Sequence, residues 1–152
     1  MSNITDAFTQ PGTNRGLYYD GAFQKPETDA VISVTNPATA EGFTTVPDAT
    51  ATDVDAAVAA ARAAFAGWSA LDPIDRARHL RRFADVVGEN IPKLAILESI
   101  VTGRALKEMN AQMARIPEWI EYFAGIAMGL EGESNIVKGG YVTMTHYEPL
   151  GP

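Results

Sequence analysis

Leu106, Met109, Met113, Ile116, Ile120, Phe123, Ala127 and Leu130 recur at steps of three and four, and on a helix that spacing draws one continuous apolar stripe. A stripe of that length is the spine around which the rest of the chain has to be arranged. Pro117 lies inside it. Proline has no N–H to donate and crowds the carbonyl four residues earlier, so the helix is predicted to kink or restart there while the stripe stays in phase. Arg115, Glu118 and Trp119 cluster near the bend and are the first candidates for contact residues.

The chain has 152 residues, 46% of them apolar, with two Trp, six Phe and five Tyr, enough to build a core. A net charge of −7 argues against a nucleic-acid or anionic-membrane binder, because phosphate neutralisation needs a basic face. Met1 to Arg15 lacks the basic start and apolar run of a signal peptide, and the apolar run in Asp55 to Trp68 is short, alanine-rich and interrupted by Arg62. The reading is a cytoplasmic protein without nucleic-acid or membrane partners. There is no cysteine, which rules out disulfides, thiolate metal sites and a thiol nucleophile.

Residues 1–16 mix Ser, Asn, Thr, Pro and Gly and read as a flexible tail. Leu17–Tyr19, Asp20-Gly21 and Ala22–Gln24 form a short hairpin pattern, since Asp-Gly accepts the positive φ of a type I′ turn. Val31–Thr35 and Thr44–Val46 read as short strands around an Asn36-Pro37 turn. Thr52 is predicted to cap a helix with Asp55 at its third position and Val54, Val58, Ala61, Phe65 and Trp68 as its buried stripe. Asp72-Pro73 opens a second helix, with Ala77, Leu80, Phe83, Ala84 and Val87 inward. Its outer face carries Arg76, Arg78, Arg81 and Arg82 among acids one turn away, read as an ion-paired solvated face with an anion-binding patch as the alternative. A third helix is expected over Asn90–Val101, with Pro92 in its first turn and Gly103 as a left-handed stop. Glu131–Asn135 reads as a loop, Lys138-Gly139-Gly140 as a turn, and Tyr141–Glu148 as a strand without a partner in the chain. The pattern is that of part of a larger α/β domain.

Several ordered motifs carry a resemblance. Val34-Thr35-Asn36-Pro37-Ala38-Thr39, then Asp53 to Phe65 with Trp68 after it, Arg76 to Leu80, Glu98 to Arg104, Glu121-Tyr122-Phe123-Ala124-Gly125 and Glu148-Pro149-Leu150-Gly151 follow one another without a gap. Together they resemble the aldehyde dehydrogenase superfamily. The resemblance implies an α/β fold, incomplete here: residues 17–140 would be the N-terminal part of the NAD(P)-binding domain, and 141–152 the start of a strand leading to an oligomerisation arm. It further implies an NAD(P)-dependent oxidation of a small aldehyde to a carboxylic acid by a homo-oligomer. The family's oxyanion asparagine, dinucleotide-binding loops, glutamate base and cysteine nucleophile have no counterpart in these residues, so no catalytic or cofactor-binding residue is assigned. The isolated chain is expected to bind no NAD or NADP and to turn nothing over.

Alignment on Tyr122 implies, through the resemblance, that Ala111 and Arg115 lie on the wall of the substrate-tunnel mouth with Trp119 shaping the same mouth, where the Arg115 guanidinium would favour an aldehyde with an anionic tail. The competing readings are a surface Arg115 paired with Glu118 or Glu121, and a Trp119 packed beside the kink. No metal is expected: His79 and His146 lack a second ligand at metal spacing, and Val101 stands where several members carry an acid near a structural cation, leaving Thr35 backbone oxygen as a contributor. Gly125 and Gly129 suggest close backbone packing, and Gly139-Gly140 lacks the strand and helix of a phosphate loop. Two further hypotheses stand beside the enzyme: a non-catalytic module that binds other subunits through its helices and unpaired strand, and an independently folded helical scaffold.

Overall fold

The computed structural model describes residues 16–152; nearly all of the predicted tail, residues 1–15, lies outside the described residues. The first strands, β1 (Leu17–Tyr19) and β2 (Ala22–Gln24), pair antiparallel. Asp20 and Gly21 have φ of 53° and 71°, the two positive values that a type I′ turn requires. Tyr18 faces Phe23 across the pair with ring centroids 5.0 Å apart, edge to face. The second hairpin joins β3 (Val31–Asn36) to β4 (Glu41–Pro47), so both strands run longer than the apolar pattern marks. Its register shifts between Val34↔Thr44 and Thr35↔Gly42, leaving Phe43 as the extra residue of a bulge. Asn36 builds the turn itself: its side-chain oxygen accepts from the Ala38 amide at 2.9 Å and its carbonyl from the Ala40 amide at 2.8 Å.

Helix α1 (Ala51–Ser69) starts two residues earlier than the cap at Thr52 predicts. Thr50 is the cap and Asp53 its partner, a reciprocal capping box in which each side chain satisfies the other's free amide. This box outcompetes Thr52 and Asp55 because it also reaches 26 residues back: Asp53 Oδ1 accepts from the Glu27 amide at 3.1 Å, and the Thr50 hydroxyl lies 2.6 Å from Glu27 Oε2. Asp53 is buried although acidic, and its oxygens are bonded. The Thr50 amide holds its carboxyl below the usual carboxylate range against the opposing effect of burial, with help from the Thr50 hydroxyl and the Glu27 amide. The predicted stripe of α1 is not covered. Val54, Val58, Ala61 and Trp68 are exposed and only Phe65 is half-buried, because α1 makes its main contact with β1 and little with the other helices.

Helix α2 runs unbroken from Pro73 to Thr102, where two helices were predicted. Proline inside a helix costs about 3 kcal/mol or more, but buried Ala84 before Pro92 and buried Ala95 after it hold both halves against the rest of the fold. The Asn90 side chain also donates to the Val86 carbonyl at 2.8 Å. Pro73 occupies the first turn and Gly103 ends the helix at φ 75°, as the sequence predicts. Gly103 is required twice over, since a Cβ there would stand 2.8 Å from Cγ of Pro37 in the β3–β4 turn. Two facing assignments change, one inward and one outward. Phe83 is exposed, and Arg76 turns inward to donate to the Leu71 carbonyl and, at 3.5 Å, that of Ser69. Arg78 does pair with Asp75, at 2.5 Å.

Helices α3 (Leu106–Met113) and α4 (Ile116–Ile126) are the spine, restarted rather than kinked, and both pack on α2. Met109 is the largest fully buried side chain among the described residues; the other buried apolar residues are Ala77, Ala84, Ala95 and Ala124. The stripe changes phase across the break. On α4 the covered positions are Pro117, Ile120 and Ala124, while Phe123 and Leu130 are exposed, because Pro117 itself sits against Gly88 of α2. Close approach therefore occurs at Gly88, where an added Cβ would be 3.8 Å from Pro117 Cγ. An added Cβ at Gly125 meets nothing within 4 Å, and at Gly129 only the nearby Ile126 carbonyl.

The last hairpin pairs β5 (Ser134–Val137) with β6 (Tyr141–Met144). This corrects two expectations at once: the segment after Gly132 is not all loop, and the final strand has a partner. Gly139 and Gly140, at φ 105° and 84°, turn the chain back within three residues. The strand ends at Met144 rather than Glu148, beyond which the chain follows no regular structure.

Candidate functional site

The α3–α4 junction gathers the candidate residues. Helix α3 closes with the Ala114 amide bonded to the Asn110 carbonyl at 3.1 Å, and the Arg115 amide then tightens to Gln112. Because Pro117 has no N–H, the ladder resumes only when the Trp119 amide reaches the Arg115 carbonyl at 3.1 Å. Pro117 takes the inner side against Gly88. Ala111, Arg115 and Trp119, four residues apart, are all left exposed.

Arg115 Nε lies 4.0 Å from a Glu118 carboxylate oxygen, with both side chains about 70% exposed (69% and 73%). This is the local pair that helical spacing predicts, and at that separation in water it holds the guanidinium weakly. Trp119 is not packed beside the kink; it is 55% exposed. Its ring stacks on Phe123 at 6.5 Å and 25° and meets Tyr122 edge-on at 6.5 Å, while Tyr122 and Phe123 lie 5.4 Å apart. Phe123, which its place on the stripe predicts to be inward, and Tyr122, which carries the motif, are both exposed. Their spacing of three and four from Trp119 was the signal for a ring cluster. An exposed guanidinium can bind an anionic group and an exposed cluster of three rings a planar one; neither supplies a nucleophile or a general base.

Other candidates separate. His79 lies 5.8 Å from the Trp68 ring and His146 lies 3.7 Å from Glu148, so the two histidines have different partners. Thr35 sits opposite the β4 bulge, and among the described residues no three His, Cys, Asp or Glu side chains gather as a metal site. Gly139 and Gly140 turn a β-hairpin rather than opening a helix, so their amides are not arranged to cradle a pyrophosphate, and the described helix starts follow no glycine-rich loop. No helix of the described residues is long and apolar enough to cross a membrane.

The sequence pattern of the aldehyde dehydrogenase family matches residues 23–152. This chain belongs to that family. Among its relatives, the hydroxyisobutyraldehyde dehydrogenase of Mycolicibacterium austroafricanum is 36% identical over 146 residues, covering 96% of this chain and 29% of the relative. The betaine aldehyde dehydrogenase of Brucella anthropi is 39% identical over 135 residues, covering 88% and 28%. Among solved structures, a succinate-semialdehyde dehydrogenase from Burkholderia pseudomallei superposes with a TM-score of 0.75 at 34% identity, over 80% of this chain and 25% of that one. A double mutant of the Staphylococcus aureus betaine aldehyde dehydrogenase, in complex with NAD+, gives 0.74 at 33% identity, covering 80% and 25%. The aldehyde dehydrogenase fold is therefore present in part: the chain spans under a third of the length of these relatives.

Proposed function

We propose that this chain is the N-terminal part of an NAD(P)-dependent aldehyde dehydrogenase that oxidises a small aldehyde to its carboxylic acid. The observation that carries this reading is the family match over 23–152 together with the order of its motifs. In this reading residues 17–140 belong to the NAD(P)-binding domain and 141–152 lead to an oligomerisation arm, in a cytoplasmic homo-oligomer. The 152 residues alone lack a thiol for a thiohemiacetal and do not turn over. The test is to read the coding sequence past the Pro152 codon and assay its product and the 152-residue chain side by side. NAD(P)H formation that depends on aldehyde is expected from the longer product only; its absence there, or its presence in the short chain, overturns the proposal.

Ala111, Arg115 and Trp119 are proposed to line the tunnel mouth, with Arg115 selecting an anionic tail. Their joint exposure at the α3–α4 junction supports this. Arg115→Ala in the longer product should raise KM for an anionic aldehyde about tenfold, the loss of one charge-assisted hydrogen bond, with kcat unchanged. An equal rise for a neutral aldehyde rejects the role. A non-catalytic module is the second reading, and the β5–β6 hairpin favours it: it is a two-stranded sheet, so each strand keeps an outer edge to which a strand from another polypeptide can add.

A further inference from the structure

The connection between α2 and α3 is pinned at Arg104 through both of its backbone polar groups. Gly103 ends α2 in the left-handed region, and the Arg104 amide that follows reaches the Thr102 hydroxyl at 3.4 Å. The Ser99 hydroxyl donates to the Arg104 carbonyl at 2.6 Å. Thr102 is held in turn, its hydroxyl donating to the Glu98 carbonyl at 2.7 Å. With its backbone fixed on the end of α2, Arg104 sends its side chain along α3, where Nη1 donates to Gln112 Oε1 at 3.0 Å, eight residues further on.

Helix α3 depends on ties of this kind. It is eight residues long, its cap Ala105 offers no side-chain bond, and Met109 is its one buried residue. A helix that short is marginal on its own, so contacts outside it fix its place. Met109 anchors the middle and Arg104 holds the last turn. In that turn the Gln112 carbonyl accepts from the Arg115 amide at 3.1 Å. Gln112 therefore joins two bonds: its side chain takes the Arg104 guanidinium and its backbone takes the amide of Arg115.

We infer that Arg104 is a positioning residue: through Gln112 it fixes the last turn of α3, and so the place at which the Arg115 guanidinium meets an anionic substrate tail. This rests on the role proposed above for Arg115. Arginine suits the task, since its planar fork loses less freedom for each bond than a lysine ammonium does. Both Arg104 and Gln112 are exposed, so the bond between them is worth a modest factor.

The test is the ratio of kcat/KM for an anionic aldehyde to that for a neutral aldehyde of the same length, measured in the longer product. Gln112→Ala is the decisive variant, because it removes the acceptor and no charge. It should lower the ratio about threefold, the loss of one exposed hydrogen bond, through KM for the anionic aldehyde with kcat unchanged. Arg104→Ala should lower the ratio at least as far, and adding Gln112→Ala to it should lower the ratio no further. In an Arg115→Ala background, Gln112→Ala should leave the ratio as it is. A fall in Arg104→Ala with none in Gln112→Ala is the effect of a lost charge and overturns the inference, as does an equal rise in KM for both aldehydes. If Arg115→Ala itself leaves the ratio intact, the role of Arg115 and this inference fall together; if Arg115→Ala lowers it and Gln112→Ala does not, this inference falls alone. The 152-residue chain gives a second readout. Hydrogen exchange of the Arg115 amide should be about threefold faster in Gln112→Ala, with the amides of α2 and α4 unchanged. Exchange that stays the same, or that quickens throughout α2, overturns the positioning role.

Discussion

Helices α1 and α2 both carry an apolar stripe in the sequence, yet only α2 buries one. Three alanines of α2 are buried, and α3 and α4 pack along it. On α1 the single buried residue is the acid Asp53. The difference teaches that a stripe predicts which face is available for burial, not whether anything covers it. Where a partner exists, as Pro117 finds at Gly88, small residues allow backbones to approach. Where the partner is slight, polar contacts at the ends carry the attachment.

The largest effect should come from the well-packed side. Met109→Ala, removing the one large side chain that is fully buried among the described residues, should destabilise the chain by about 2–5 kcal/mol in chemical denaturation. A loss below about 0.5 kcal/mol would erase the contrast between the two regions. Gly103→Ala should cost about 1–2 kcal/mol, because φ of 75° disfavours a Cβ and Pro37 occupies its space; a hydrogen-exchange map should show the loosening at the end of α2 and in the β3–β4 turn. Asp53 sharpens the comparison through pH. Its carboxyl is held below the usual range in the folded chain, so the stability it contributes is present above the ordinary aspartate range and is lost as the pH falls through the lowered value. Asp53→Asn should flatten the dependence of stability on pH across that acidic window, and an unaltered slope would remove Asp53 from the account. The smallest change is expected for Val58→Ala on the open side of α1, within about 0.5 kcal/mol, since Val58 is already 41% exposed.

Much of the local structure was legible in the chain. The Asp20-Gly21 turn, the Pro73 start and the Gly103 stop followed from backbone chemistry that those residues carry wherever they stand. The cap of α1 was misplaced by two residues because Thr50-x-x-Asp53 and Thr52-x-x-Asp55 are equivalent locally, and only Glu27, distant in sequence, favours the first. At the candidate site, the Arg115–Glu118 pair was readable from helical spacing. The same helical spacing signals a ring cluster of Trp119, Tyr122 and Phe123, but not its exposure, because helical period alone does not say which side of α4 faces α2.

What the sequence determined by itself was where strands turn, where helices begin and end at Pro and Gly, and which family the ordered motifs belong to, because each depends on side chains acting on their own backbone or on a linear pattern. Tertiary structure decided the rest. It kept α2 whole across Pro92, gave the final strand its partner and chose the buried side of α4, because each of these balances a local cost against contacts between residues far apart in the chain.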